Sequence, residues 1–344
     1  MTLTMRRGDL ARDRSALIEF LQTHLSPRCD AARFDWLYFQ NPYGTARVMI
    51  AESVSGTNVV GVAAAFPRVF SFQGSHHAGF VLGDFCLHPR YRSLGPAVQL
   101  QRACLQEAFS GSESIAYDFP SLSMLAVYRR LGLNSQQSMI RLAKPLSFRR
   151  KAGKALKFDS IARGVSAVGD RILEWHDHCL DSQFQADIAL HKGPFGEEFT
   201  SLAARSTFDD AVGVCRNAPY LNWRFLAHPF LRYEVLTAHI RRELVGYLVF
   251  TQNGEDAYIA DLIGMDNTQL LRALLSKLVH LLRDRGVVTV SISVVASDTL
   301  VHLFESIGFH KRDSCPALLW PPRRVGDSRE NGTRWLLMDG DRES

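Results

Sequence analysis

The two halves of this 344-residue chain are spaced copies of one another. Trp36 and Pro42 stand six residues apart, and Trp223 and Pro229 repeat the pair at a shift of 187. Gly61 in Val59-Val60-Gly61 returns as Gly246 in Leu244-Val245-Gly246, shifted by 185. Asp84 returns as Asp261 at a shift of 177, and Leu131-Gly132-Leu133 returns as Ile307-Gly308-Phe309 at a shift of 176. A slowly drifting offset over four anchors points to tandem copies of one fold. The length, long for a single core, agrees with two.

Within the first copy, Leu17, Phe20, Leu21 and Leu25 fall on one helical face over Asp13 to Leu25. An aromatic-rich segment from Phe34 to Gly44 follows, readable as a packed corner or as the wall of an acceptor pocket. Arg47 to Glu52 and Val59 to Phe66 read as a hairpin around Ser55-Gly56-Thr57-Asn58. Ser71 to Gly74 turns the chain into a further strand, Phe80 to Leu87. Ser114 to Phe119 is another strand, and a helix through Leu125 to Tyr128 ends at Gly132, suited to a left-handed C-cap.

Between the Phe80–Leu87 strand and the next helix lies Leu87-His88-Pro89-Arg90-Tyr91-Arg92-Ser93-Leu94-Gly95-Pro96-Ala97. Glycine allows close approach to a backbone, and the first helical turn presents unpaired N–H groups at a positive dipole end. Pro96 fits that turn because its missing N–H costs little there. The stretch is built for an anion.

Leu87-x-Pro89-x-x-Arg92-x-x-Gly95-x-Ala97 resembles the acetyl-CoA-binding signature of GNAT superfamily acetyltransferases. Tyr128-Arg129-Arg130-Leu131-Gly132-Leu133 resembles the later Tyr-x-x-x-Gly-aromatic segment of that family, with Leu133 replacing the aromatic. The resemblance implies that backbone N–H groups from Leu94 to Val98 (Leu94, Gly95, Ala97 and Val98, Pro96 lacking one) hold the pyrophosphate of acetyl-CoA. Ser93 stands at the helix start and Arg92 adds charge. It implies that the main chain at Cys86 and Leu87 pairs with the pantetheine arm, and that Tyr128 protonates the departing thiolate. One departure is Ser121, where the family commonly has Asn; serine still caps helices.

The acceptor amine must shed a proton, so a base or water relay is expected. Asp84, set in an apolar strand, is the candidate for catalysis or acceptor binding, since burial raises a carboxyl pKa. Asp118, His88 and the pair His76-His77 are weaker candidates. In the second copy, Gln269, Arg272 and Leu274 stand where Arg92, Gly95 and Ala97 would fall, and Phe304 replaces the tyrosine. That copy is expected to have lost CoA binding and to support the first.

A basic stretch from Arg141 to Arg163 marks the domain boundary. His176-Asp177-His178-Cys179 lacks the separated ligand pairs of a structural zinc site, so no metal is expected. The net charge of +5 is too small to imply nucleic acid. Six scattered cysteines without a C-x-x-C pair indicate a reducing compartment. No apolar h-region or membrane-length run is present, so a soluble, cytoplasmic protein is expected.

The fold expected is α/β (α+β): two tandem acyl-CoA N-acyltransferase (GNAT-like) domains, each a mixed, mostly antiparallel sheet flanked by helices. Residues 1–145 form the first, 146–200 a partly helical basic bridge, and 201–344 a degenerate second copy. The function implied by the resemblance is transfer of an acetyl (acyl) group from acetyl-CoA to a small-molecule amine, an amino sugar being the preferred acceptor. The alternatives are an aminoacyl-tRNA-dependent transferase and a non-catalytic CoA-binding module. The apolar run Trp335 to Met338, closed by Asp339-Gly340-Asp341, reads as a last strand returning over a pocket. Tandem GNAT proteins associated with surface polysaccharide genes look similar there and at Trp36-x-x-x-x-Asn41-Pro42.

Overall fold

The first copy begins with a strand that its polar, basic N-terminus does not advertise, β1 (Leu3–Arg7). It pairs antiparallel with β2 (Arg47–Ser53), and β3 (Val59–Phe72) and β4 (Ser75–Leu87) extend the meander. β5 (Ile115–Asp118) then joins β4 in parallel, as a strand arriving by a helical crossover does. A computed structural model provides this description for residues 3–53, 58–111, 115–134, 137–147, 171, 184–206, 211–264, 267–320 and 333–343.

Helix α1 (Leu10–His24) is capped by Asp9 and buries Leu17, Phe20 and Leu21, as its periodicity predicts, whereas Leu25, expected on the same face, follows the last helical turn and is exposed. Each such side chain contributes about 1.5–3 kcal/mol. The aromatic segment forms a short helix, α2 (Ala31–Phe34), running into a π-helical turn, Asp35–Phe39. It is a packed corner: Trp36, Leu37 and Tyr38 are buried, and Phe34 stacks on Tyr38. Helices α3 (Leu94–Ala108) and α4 (Leu122–Arg130) follow β4 and β5, and β6 (Gln137–Pro145) closes the copy.

The second copy repeats this order with one strand inserted between its first two helices. It runs β7 (Asp187–Leu190), α5 (Glu197–Arg205), β8 (Ala211–Val214), α6 (Ala218–Leu221), and a second π-helical turn, Asn222–Leu226. Then come β9 (Glu234–Ile240), β10 (Glu243–Asn253), β11 (Asp256–Gly264), α7 (Thr268–Asp284), β12 (Thr289–Val295), α8 (Asp298–Ser306) and β13 (His310–Trp320). The tail adds β14 (Arg334–Met338) and a 3₁₀ turn, Asp339–Asp341.

The two copies exchange their last strands. The main path of the sheet runs β1-β2-β3-β4-β5-β13-β6-β12-β11-β10-β9-β7, so β13 of the second copy lies beside β5 of the first. In return β6 lies beside β12, from Thr289 opposite Pro145 to Val294 opposite Ile140. One continuous sheet and a shared core result. At the seam, Trp36 Nε1 donates to Trp223 O and Trp223 Nε1 donates to Trp36 O, both at 2.9 Å, with the rings stacked at 4.9 Å.

Other repeat anchors have equally local reasons. Gly132 and Gly308 end α4 and α8 with φ of +80° and +88°, where a side chain would be strained. Two sequence boundaries move. Arg141 and Lys144 belong to β6, Lys144 Nζ donating to Ile307 O, so the basic stretch begins inside a strand. The second copy's sheet begins at Asp187, inside the stretch assigned to the bridge, because β7 pairs with β9. The remainder of the basic stretch from residue 148, the His176–Cys179 cluster and positions 54–57 of the first hairpin turn lie outside the described residues.

Candidate acyl-transfer site

β4 and β5 form a wedge. Their parallel pairing covers Gly79 to Val81 opposite Ile115 to Tyr117 and stops there. A bulge helps part them: Val62 faces Cys86 and Ala64 faces Gly83, so β4 carries an extra residue, with Asp84 at φ +45°. From Leu82 to Leu87 the β5 side of β4 has no strand partner among the described residues. Cys86 and Leu87, the expected pantetheine contacts, lie on this parted edge.

At its far end β4 enters the anion turn. Pro89–Tyr91 is a 3₁₀ turn, and α3 starts after Ser93 with no side-chain cap and no acid in its first turn. Ala97 N–H donates to Ser93 O, which leaves the N–H groups of Leu94 and Gly95 as orphan donors of the helix start. Pro96 has no N–H, and Val98 lies one residue further into the helix. A Cβ at Gly95 would meet nothing within 4 Å, and no positive φ requires glycine there. Among the described residues nothing demands this glycine, and the space over it is open.

An arginine and two histidines flank the turn. Arg92 donates from Nε to Leu87 O at 2.9 Å and from Nη2 to His24 O at 3.2 Å, fastening the turn to α1. The rings of His24 and His88 lie 5.0 Å apart. Burial, then the neighbouring His88 and Arg92, hold the His24 pKa below its usual value. A bound anion would relieve that repulsion.

On the opposite side of the wedge, Tyr128 is fully buried; its Oη donates to Asp118 Oδ2 and accepts from Gln101 Nε2 at 2.9 Å. Burial pushes the Asp118 carboxyl up to about 7 and the Tyr128 phenol well above its ordinary value. Ser121 Oγ accepts from Met124 N, so serine caps α4 as expected.

The raised Asp118 pKa means that the folded protein holds this proton more tightly than the unfolded chain does. Stability should therefore decline as pH rises from about 4 to about 7, and then level off, as far as this group decides it. Asp118→Asn is expected to flatten that decline, read from urea midpoints at pH 5 and pH 8.

Asp84 does not stand free. Arg33 donates to both of its oxygens at 2.8 Å, and Tyr38 Oη donates to Oδ2 at 2.7 Å. Its repeat partner is held the same way: Asp261 accepts from Arg216 Nη2 at 3.2 Å and from Tyr247 Oη at 2.8 Å. The arginine–tyrosine clasp thus recurs in both copies. His76 and His77 lie at the start of β4, by the turn at Gln73-Gly74 and away from the Leu87–Ala97 turn, and His88 caps the 3₁₀ turn through Arg90 N.

The second copy's wedge is filled. β11 and β12 pair only from Asp256 to Ile259, and beyond them β14 pairs with β12, Val294 opposite Met338 and Val295 opposite Leu337. The start of α7 is closed by Asn267, whose side chain accepts from Gln269 N and Leu270 N. Asp298 lies in the first turn of α8 and His302 pairs with Glu305 on its surface. Among the described residues, no group of three or more His, Cys, Asp or Glu could hold a metal ion, and no helix is long and apolar enough to cross a membrane.

Residues 20–134 match the family model of the acetyltransferase (GNAT) domain. A GCN5-related N-acetyltransferase from Anabaena variabilis superposes with a TM-score of 0.65 at 14% identity, covering 92% of this chain and 72% of that one. One from Kribbella flavida gives 0.61 at 15% identity, over 92% and 71%. Saccharomyces cerevisiae N-myristoyltransferase with bound myristoyl-CoA gives 0.53 at 10% identity, over 96% and 86%. A comparison with curated protein sequences gives no match.

Proposed function

We propose that this chain, whose residues 20–134 match the acetyltransferase (GNAT) domain model, transfers an acyl group from an acyl-CoA to a small-molecule amine, with one active site per chain, in the first copy. The observation that carries this reading is the contrast between the copies. The first has a parted β4 edge leading to an uncapped helix start with open space at Gly95; the second has β14 in its wedge and Asn267 on its helix.

In this reading Leu94 and Gly95 N–H, with Arg92, His24 and His88 nearby, hold the pyrophosphate, and the main chain of Cys86 pairs with the pantetheine arm. Acetyl-CoA is the donor the signature favours, an amino sugar is the favoured acceptor, and the cytoplasm is the favoured compartment. Asp84, with both oxygens committed, holds Arg33 across the bulge as a positioning group. The Tyr128–Asp118 pair keeps a proton near neutrality beside the wedge and supplies it toward the departing thiolate.

Release of CoA, followed with a thiol reagent, tests the reading: wild type should accelerate release from acetyl-CoA over longer acyl-CoAs when glucosamine is present. An acyl-CoA that binds without any amine-dependent release would leave a CoA-binding module instead. Tyr128→Phe should lower kcat by about 10- to 100-fold with acyl-CoA affinity unchanged, since it removes one proton-transfer group.

A further inference from the structure

The C-terminal tail threads from the filled wedge into the open one. Leu337 and Met338 pair with β12, and Gly340 packs against Ala260 of β11. Tyr117 on β5 donates to Asp341 O at 2.6 Å, and the Arg342 guanidinium lies 5.5 Å from the Phe119 ring centre. The tail is held there firmly, Asp341 accepting from Arg216 Nη2 at 2.6 Å and from Met338 N at 2.8 Å. Glu343 then arrives at β4. A Cβ at Gly83 would come within 2.6 Å of Glu343 Cγ, so glycine at 83 is what admits this side chain beside the bulge.

Glu343 Oε2 is closed off from solvent and has no hydrogen-bond partner among the described residues. The charged and titratable groups that face Glu343 are Asp84 on β4, Arg33 on α2, Tyr117 and Asp118 on β5, Tyr128 on α4, and Arg342 beside it. Most already have partners: Arg33 serves Asp84, Tyr128 serves Asp118, and Tyr117 serves Asp341 O. A buried carboxylate oxygen with no donor is costly, and an N–H donor arriving in the wedge would satisfy it.

We propose that Glu343 receives the acceptor: Oε2 takes a hydrogen bond from a protonated primary amine and then removes one of its protons. This rests on the first copy being the acyl-CoA site, and it sets the acceptor class as a cationic amine. The freed nitrogen lone pair forms the C–N bond to the thioester carbonyl while the C–S bond breaks. The Tyr128–Asp118 pair gives the departing sulfur its proton and takes up the nitrogen's second proton in return, giving amide and free thiol, and the proton on Glu343 passes to solvent. Burial holds the Glu343 carboxyl above its ordinary pKa, in keeping with a group that exchanges a proton.

The test compares CoA release from acetyl-CoA with methylamine, which must be deprotonated, and with hydroxylamine, which is largely uncharged at neutral pH. Glu343→Gln should cut the methylamine rate by about 100-fold and leave the hydroxylamine rate within about 3-fold, on the scale expected for one general base. Glu343→Asp should restore part of the methylamine rate, and acetyl-CoA binding by calorimetry and the urea midpoint should match wild type. Equal loss with both amines, no loss with either, or no methylamine-dependent release by wild type overturns the assignment. Absence of acetyl-CoA binding by wild type would overturn the underlying reading of the site instead.

Discussion

Gly95→Glu should abolish acyl-CoA binding while leaving the fold intact or slightly firmer. The new carboxylate would stand in the first turn of α3, where the pyrophosphate is proposed to sit, and like charges there repel. A loss of at least 100-fold in affinity, about 2.8 kcal/mol, is expected. Stability should move the other way. Nothing lies within 4 Å of the added Cβ, and glutamate both suits a helix better than glycine and favours a helix N-terminus. A gain of roughly 0.5–1 kcal/mol in urea unfolding, together with lost binding, would separate a ligand site from a structural turn.

The largest effect on stability is expected at Arg216. Its guanidinium, buried at 3% exposure, lies 3.2 Å from Asp261 and 2.6 Å from Asp341, each carboxylate 1% exposed. Burial raises the Asp341 pKa, and Arg216 opposes that rise. Arg216→Met preserves much of the volume but strands two buried carboxyl groups. The expected cost is about 3–5 kcal/mol, read as a lower urea midpoint. The loss should be smaller at acid pH, where Asp341, its pKa raised by burial, takes up a proton. Because Asp341 anchors the tail, the same variant should also slow amine-dependent CoA release through Glu343.

Much of the fold was legible because its anchors have specific physical causes. Trp36 and Trp223 recur at an offset of 187 because each indole bonds the other's carbonyl across the seam. Gly132 and Gly308 recur because each helix stops in a left-handed conformation. The candidate turn from Leu87 to Ala97 could be picked out because its N–H donors, its glycine and its arginine lie within one stretch of chain. Asp84 and Asp261 were found as anchors, yet their clasp was not, since Arg33 lies 51 residues from Asp84.

What the sequence concealed depends on long-range pairing. The exchange of β6 and β13 follows from which strand edges are free, which no periodicity records. β1 was hidden because an edge strand carrying Arg6 and Arg7 has no apolar run. Glu343 was missed because it is an acid in a polar tail, brought beside Gly83 only when β14 fills the other copy's wedge. The signal that could have found it was the Trp335 strand itself: an apolar strand that must be buried carries whatever follows it inward.

The measurement that tests the central claim most directly is calorimetric titration of the full chain with acetyl-CoA, for wild type and Gly95→Glu side by side. The asymmetry between the copies predicts one molecule bound per chain, and none in the variant. Two molecules per chain, or binding unchanged in Gly95→Glu, would contradict it.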